Sequence, residues 1–403
     1  MRIAFISYEY PPETGGGGIG TYLTHIIPAL INAGHSIVLF AGTYRSHAYW
    51  QEKTVLRIPC KDQIEFNKEV VTYFSREHQS KSFDIIETTD FQGWGLEVIR
   101  TYPEIPYVVK LHTPRFLIDT LHYKPLSFKE KIRFSLGALK RFKLPRFPKS
   151  PRKENYSDEC EIIEKATRIV TTTQSIATKL IDMGMLSREK KIDHVPYCIP
   201  LSKQLLKIQP KPATDTINIM FIGRMEERKG IINLALAIPK VLLKFPRVKF
   251  YYIGRSTMLS NKLNAVDFLK TILKQQLNSV VFTGEILPEE IPTYLDAGDI
   301  FVFPSHYESF GLVCTESMAA GKTVIGSKNG GMTEILDNGN FGLLTDTTPN
   351  DIAAKINYLI ENPDKRIEFG LKAREHISGY YNAENIVEKQ ISSYNKAISI
   401  KND

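Results

Sequence analysis

The run Ile300-Phe301-Val302-Phe303 stops at Pro304, and a second apolar run, residues 323–326, follows it. Between them lie a loop and a helix-like segment, residues 312–320, halted by Gly321, and Gly330-Gly331 opens a further turn. Short apolar runs bounded by proline and glycine have the pattern of strands buried on both faces. A strand, a loop, a helix and a second strand at this spacing form half of a parallel α/β unit. This stretch excludes an all-helical or all-β chain and points to a sheet covered by helices.

Two carboxylates stand out in the unit. Glu308 falls in the loop and Glu316 on the helix, with seven residues between them. So placed, they can grip opposite ends of one elongated ligand. Phe310-Gly311-Leu312 lies between them at the helix start, where unpaired N–H groups and the helix dipole favour a phosphate. Gly311 lets the backbone approach such a ligand closely.

Pro304-Ser305, Glu308-x-Phe310-Gly311, Glu316-x-Met318-Ala319-x-Gly321 and Gly330-Gly331-x-x-Glu334 resemble the signature of the group 1 (family 4) glycosyltransferases. The resemblance implies a GT-B fold: two Rossmann-like parallel-sheet domains facing across a cleft, with a C-terminal helix crossing back to the first. It implies that Glu308 holds hydroxyls of a donor sugar and Glu316 the ribose of its nucleotide. Ser309, Phe310, Gly311 and Leu312 are then expected to bind the donor. The chain departs from the pattern at Ser317, where alanine is usual, and at Lys322-Thr323, where a proline is usual.

The chain has 403 residues, which predicts two or three domains. Four cysteines without CxxC spacing argue against a zinc site or a disulfide framework and fit a reducing cytosol. No signal peptide is evident, and no apolar run approaches the roughly 18 residues of a membrane span. The expected location is cytoplasmic, with any membrane contact peripheral, on the inner face. The net charge of +8 is concentrated: residues 124–153 hold eleven Lys/Arg and one acid, Glu130, while the rest sums to −2.

The expected domains are residues 1–200, a linker over 201–216, residues 217–379, and a returning helix over 380–403. In the first, residues 3–7 read as a buried strand and 15–20 as a glycine loop. A helix is expected over 21–33, capped by Gly34, and a strand over 37–40. The glycine spacing does not hold GxGxxG cleanly. In the resembled family this loop, with Gly17 and Gly18, closes over the donor and admits the acceptor. Residues 83–87 and 107–111 read as strands. His112 follows the second, at the edge where α/β proteins bind ligands, and the resemblance implies that it contacts the donor sugar. Thr173-Gln174-Ser175 predicts a helix with a hydroxyl cap. Residues 196–200 lack the asparagine-glycine turn and aspartate usual in the family.

Within 121–153, Phe128, Ile132, Leu136, Leu139 and Phe142 recur at helical spacing, flanked by Lys129, Lys131, Arg133, Lys140, Arg141 and Lys143. Such a helix can dock on an anionic membrane. It can equally be an ordinary helix with a core side and solvated charges. Nucleic acid is a third option, although nothing else resembles a base-reading module, and no nucleic-acid partner is expected.

In the second domain, residues 218–222 form a strand that runs into Gly223-Arg224, and Lys229-Gly230 precedes a helix beginning at Ile231. Two cations between a strand end and a helix start suit a diphosphate. The resemblance implies that Arg224 and Lys229 neutralise the leaving nucleotide. Glu226 and Glu227 are the alternative partners for these cations. Gly223 and the loop carrying Ile286, which commonly frames the nucleobase, complete the expected donor site. No DxD pair appears, so neither a metal nor a cofactor is expected; the nucleotide sugar is a substrate. The resemblance implies retention, and the expected reaction is hexosyl transfer, from UDP foremost, to a saccharide or lipid-linked saccharide in cell-surface glycan biosynthesis. A sugar-nucleotide 2-epimerase of the same fold and a noncatalytic nucleotide-binding module are the alternatives.

Overall fold

The computed structural model describes residues 1–15, 17–123, 125–139, 144–145, 147, 149–209 and 216–402. The first sheet comprises β1 (Arg2–Ile6), β2 (Ser36–Thr43), β3 (Tyr49–Gln51), β4 (Val55–Pro59), β5 (Ile85–Thr89), β6 (Tyr107–Leu111), β7 (Arg168–Thr171) and β8 (Ile192–His194). Their order is β3-β4-β2-β1-β5-β6-β7-β8. All neighbours are parallel except β3 and β4, and an antiparallel edge strand is a common addition to such sheets. The second sheet comprises β9 (Asn218–Ile222), β10 (Lys249–Ile253), β11 (Val280–Gly284), β12 (Ile300–Phe303), β13 (Thr323–Ser327) and β14 (Leu343–Thr345). It is parallel throughout, in the order β11-β10-β9-β12-β13-β14.

In each sheet the winding reverses beside the first strand, between β1 and β5 and between β9 and β12. The crevice beyond such a reversal is where open α/β sheets bind ligands. Beyond β1 comes the glycine loop, beyond β9 comes Gly223-Arg224, and beyond β12 come Pro304 and Glu308.

Some element boundaries differ from expectation. The strand expected at 83–87 is β5, Ile85–Thr89, because Thr88 and Thr89 pair with Val109 and Lys110 of β6. The first helix is Gly18–Asn32 rather than 21–33. Its first turn can begin among glycines because Gly20 packs beneath Pro11, where a Cβ would lie 3.0 Å from the proline Cδ. Thr173 does not cap the helix Gln174–Asp182: its hydroxyl donates instead to the Ser309 carbonyl, 2.8 Å away. Within residues 201–216, Lys203–Lys207 is helical and Leu205 and Ile208 are buried; residues 210–215 lie outside the described residues.

The larger apolar core is continuous between the sheets. It runs from β1, β5 and β6 through Tyr197 and Phe310 to Met318 and Phe303. The ring centroids of Tyr197 and Phe310 are 4.7 Å apart, and Tyr381 closes on Phe310 from the other side at 5.9 Å. A second core lies under the helices Ile231–Lys244 and Pro349–Glu361. The last helix, Ala383–Asn402, returns to the first sheet. There Glu87 of β5 accepts hydrogen bonds from Tyr22, Gln390 and Tyr394, and Lys110 of β6 donates to the Val195 carbonyl and to Gln390. These buried charges tie residues more than three hundred positions apart.

Candidate active site

Glycines bring the site together. Gly230 lies so close to Pro304 that a Cβ would meet the proline carbonyl oxygen at 1.8 Å. This contact sets the Lys229 turn against the loop after β12. Cβ atoms at Gly330 and Gly331 would strike the carbonyl oxygens of Glu308 and Ser309, each at 2.2 Å. The Gly331 N–H instead donates to the Glu308 carbonyl at 2.7 Å. Gly311, at φ 97°, opens the helix Leu312–Ala319. The glycine pair of the signature therefore positions the backbone of Glu308 and Ser309.

Lys229 Nζ forms an ion pair with Glu308 Oε2. Arg228 Nη1 lies 3.9 Å from the same oxygen, and Nη1 also donates to the Tyr307 carbonyl at 2.9 Å. Burial by itself would raise the Glu308 carboxyl, but Lys229 and Arg228, with Arg224 beyond them, hold it below the usual carboxylate range. Arg224 is more exposed and approaches Glu226 only to 3.7 Å, whereas Arg228 binds Glu226 at 2.8 Å. Lys229 thus pairs across to Glu308 rather than to Glu226 or Glu227. Arg228 was not singled out by sequence reasoning. Its position between two expected cations was the available signal.

Glu316 differs electrostatically from Glu308. Its Oε2 is buried without a hydrogen-bond partner, and burial pushes the carboxyl up to about 7. The Phe310 ring is buried between Tyr197 and Tyr381, so this residue offers only its backbone to a ligand. Gly17 and Gly18 come to the same place from the first sheet: a Cβ on Gly18 would lie 4.0 Å from Leu312 Cδ1. Gly16 lies outside the described residues. Glu9, also missed, fills the space beneath Gly15 and Gly17; burial raises its carboxyl and Arg224 opposes the rise. Gly223 sits at φ 150° against Gly254, and Ile286 is half-buried in the loop after β11. Lys322 is buried and donates to the carbonyls of Asp296 and Gly298, a structural duty away from the site.

His112 follows β6 as expected. Its backbone N–H donates to Asp90 Oδ1 at 3.0 Å, its ring Nδ1 meets the Tyr197 hydroxyl, and its Nε2 is buried without a partner. Burial and the nearby Lys110 charge hold the ring well below the ordinary histidine range, so it is neutral. Tyr197, between His112 and Phe310, links the edge of the first sheet to the helix start in the second.

The helix Phe128–Leu139 lies within the basic segment and carries Lys129, Lys131 and Arg133 of its cations. Its apolar stripe is not core: Phe128 is 78% exposed, Leu136 57% and Leu139 61%. Lys129, Lys131 and Arg133 are exposed as well. The reading of an ordinary helix with a buried side is therefore corrected. The helical pattern had included Phe142, but Lys124, residues 140–143, Arg146 and Pro148 lie outside the described residues. No helix among the described residues is long and apolar enough to cross a membrane.

Comparison with known proteins agrees with this fold. The model of glycosyl transferases group 1 matches residues 202–376, and that of glycosyltransferase family 4 matches residues 16–203. Glycogen synthase from Mycobacterium tuberculosis is 22% identical over 98% of this chain and 94% of its own length. Among solved structures, sucrose-phosphate synthase from Thermosynechococcus elongatus superposes with a TM-score of 0.76 at 20% identity, over 99% of both chains. HepE from Anabaena, in complex with UDP and glucose, gives 0.69 at 18%, over 98% of this chain and 99% of that one. The chain belongs to the group 1 (family 4) glycosyltransferases, and its fold is GT-B.

Proposed function

We propose that the protein transfers a hexosyl group from UDP-hexose to a saccharide or lipid-linked saccharide, with retention and without a metal, in cell-surface glycan assembly. Residues 217–379 form the donor side, residues 1–200 the acceptor side, 201–216 the linker, and the last helix the return. The reading is carried by the contrast between the two carboxylates on either side of the helix start at Gly311. Glu308 is already paired with cations, while Glu316 presents a buried oxygen that lacks a donor. Ribose hydroxyls supply donors to Glu316, and sugar hydroxyls bridge to Glu308. Ile286 flanks the base, and the Gly17-Gly18 loop and His112 enclose the sugar. The bound HepE structure supports the choice of UDP.

When the sugar–phosphate bond breaks, its electron pair passes to the diphosphate. Arg224, Lys229, Arg228 and the amides at residues 310–312 are placed to stabilise that charge without reorganising. Glu308, held ionised by its partners, is a poor base. The departing phosphate oxygen is the base nearest an acceptor hydroxyl attacking from the same face, and it takes the proton as the new glycosidic bond forms. The exposed helix Phe128–Leu139 docks on an anionic membrane, where lipid-linked acceptors reside. Its support is an uncovered apolar stripe beside basic residues, each cation contributing about 1 kcal/mol near such a surface.

Thermal shifts with UDP-, GDP-, ADP- and CMP-sugars test the donor, with the largest stabilisation expected from a UDP-sugar. Transfer measured in EDTA tests the metal. Binding of none of these sugars, or activity only after a divalent ion is restored, overturns the reading.

A further inference from the structure

A second cavity, of about 490 Å³, opens on the same edge of the first sheet as His112, among the segments that follow β4, β5 and β6. Its volume is that of a small-molecule site, roughly 300–1,000 Å³. The chain connects it directly to the reaction edge. Asp90 accepts the His112 N–H; Gln92 lies two residues beyond Asp90, and Arg115 three beyond His112. At about 3.3–3.6 Å per residue, these segments bring the cavity within roughly 11 Å of the histidine backbone.

Several helices begin around the cavity, yet it is not an anion site. Asp62 occupies the amides of Ile64 and Glu65 at 2.9 Å. Glu159 takes those of Gln92 and Arg115 at 2.8 Å and of Phe116 at 3.0 Å. Arg115 is itself engaged by Asp119, which also accepts from Tyr156. In the lining, acids outnumber bases. Beside the exposed Lys68 and Asp158, the remaining hydrogen-bonding capacity is carried by the neutral amides of Asn67, Gln92 and Asn155. Asn67 Oδ1 is buried there without a partner. Gln92 is held at φ 53°, a conformation costing a non-glycine residue about 1–3 kcal/mol, of a kind found concentrated at binding sites.

We infer that this cavity is an acceptor subsite for a neutral polyhydroxyl unit, the non-reacting sugars of an oligosaccharide whose reacting end lies beside His112. The inference rests on the glycosyltransferase reading and adds the acceptor's class and length. Saturation-transfer NMR on the intact protein with UDP present, using a panel of neutral di- and trisaccharides, tests it. At least one panel member binds the wild type, and Asn67→Leu weakens that binding about tenfold. Asn155→Leu, at an exposed position of the 3₁₀ helix Lys153–Tyr156, gives a second test should Asn67→Leu fail to fold. UDP stabilises the folded variants as it does the wild type. Equal oligosaccharide binding by wild type and both variants, or no binding by the wild type, overturns the subsite. Loss of UDP stabilisation in the wild type would instead sink the donor assignment, whatever the oligosaccharide result.

Discussion

Glu334 of the second half receives the backbone N–H of Ser175 of the first, at 2.7 Å, and its other carboxylate oxygen receives that of Gln174 at the same distance. The acid that ends the glycine-pair motif is therefore the N-cap of a helix in the opposite domain. Two otherwise unpaired helix amides are satisfied across the cleft, and a carboxylate there also meets the positive end of the helix dipole. Replacing a capping acceptor by alanine costs about 0.5–2 kcal/mol. Glu334→Ala is expected to lower the thermal midpoint accordingly, and Glu334→Gln to lower it less, since one acceptor survives. Unchanged melting of Glu334→Ala would mean that the cap is not made in solution.

Lys229 and Glu308 act as a pair, so their single and double substitutions should not multiply. Removing one preorganised group that stabilises transition-state charge costs about 10²–10³ in rate. Lys229→Ala and Glu308→Ala are each expected to lower kcat by that order. The double variant should be little worse than either single, because each replacement already destroys the shared geometry. Steady-state kinetics on all three variants decides it; fully multiplicative losses would place the two residues in independent roles.

What could be read beforehand was local. Strands such as β9 and β10 are largely buried parallel strands, and their apolar runs end where glycine begins. The Glu308–Glu316 motif lies within one α/β unit, so the placing of one carboxylate in the loop and the other on the helix could be read without tertiary knowledge. The partners of Glu334 could not, being about 160 residues away in the chain. Nor could the meeting of Glu87 with Gln390, since neither residue lies in a locally unusual pattern. Periodicity showed the stripe from Phe128 to Leu139 but not what covers it, because an apolar helical face has one spacing whether it meets core or solvent.

The Glu87–Lys110 cluster sets a stability test. Burial pulls the Lys110 ammonium down to about 8, against the opposing pull of Glu87. Removing one member of a buried charged network strands the other and costs about 3–5 kcal/mol. Glu87→Ala is expected to destabilise the protein by that much in urea unfolding, and Glu87→Ala with Lys110→Met to recover part of the loss. Because the native lysine releases its proton more readily than the unfolded one, stability contributed by this residue rises between about pH 8 and its ordinary value near 10.4. No recovery in the double variant would remove the lysine from the account.

Membrane docking separates from catalysis through the exposed stripe. Serine at Phe128, Ile132, Leu136 and Leu139 removes the apolar contact while keeping Lys129, Lys131 and Arg133. Sedimentation with vesicles containing anionic lipid is expected to fall at least tenfold, and wild-type binding to weaken steeply with salt. Equal sedimentation of both forms, or equal wild-type binding to neutral vesicles, counts against docking.

Glu316 gives the binding its pH dependence. Burial raises its carboxyl to about 7 in the empty protein, so the group is largely protonated at pH 6 and largely ionised at pH 7.5. Ribose hydroxyls donate to the ionised form and so bind it preferentially, and the proton leaves as the nucleotide enters. A sugar ester of a nucleoside diphosphate has no group of its own titrating near neutrality, so the dependence belongs to the protein. The affinity for UDP-glucose is expected to fall about tenfold from pH 7.5 to pH 6, with proton release seen as buffer-dependent heat in calorimetry. Stability of the unliganded protein follows the opposite course. The native carboxyl holds its proton more tightly than the unfolded one, whose value is about 4.3. Its contribution is therefore fully present below that value and is lost as pH rises toward about 7. Glu316→Gln should flatten both profiles, with weak binding at every pH. A wild-type affinity that stays constant between pH 6 and 8 would leave the buried oxygen without a ribose to receive.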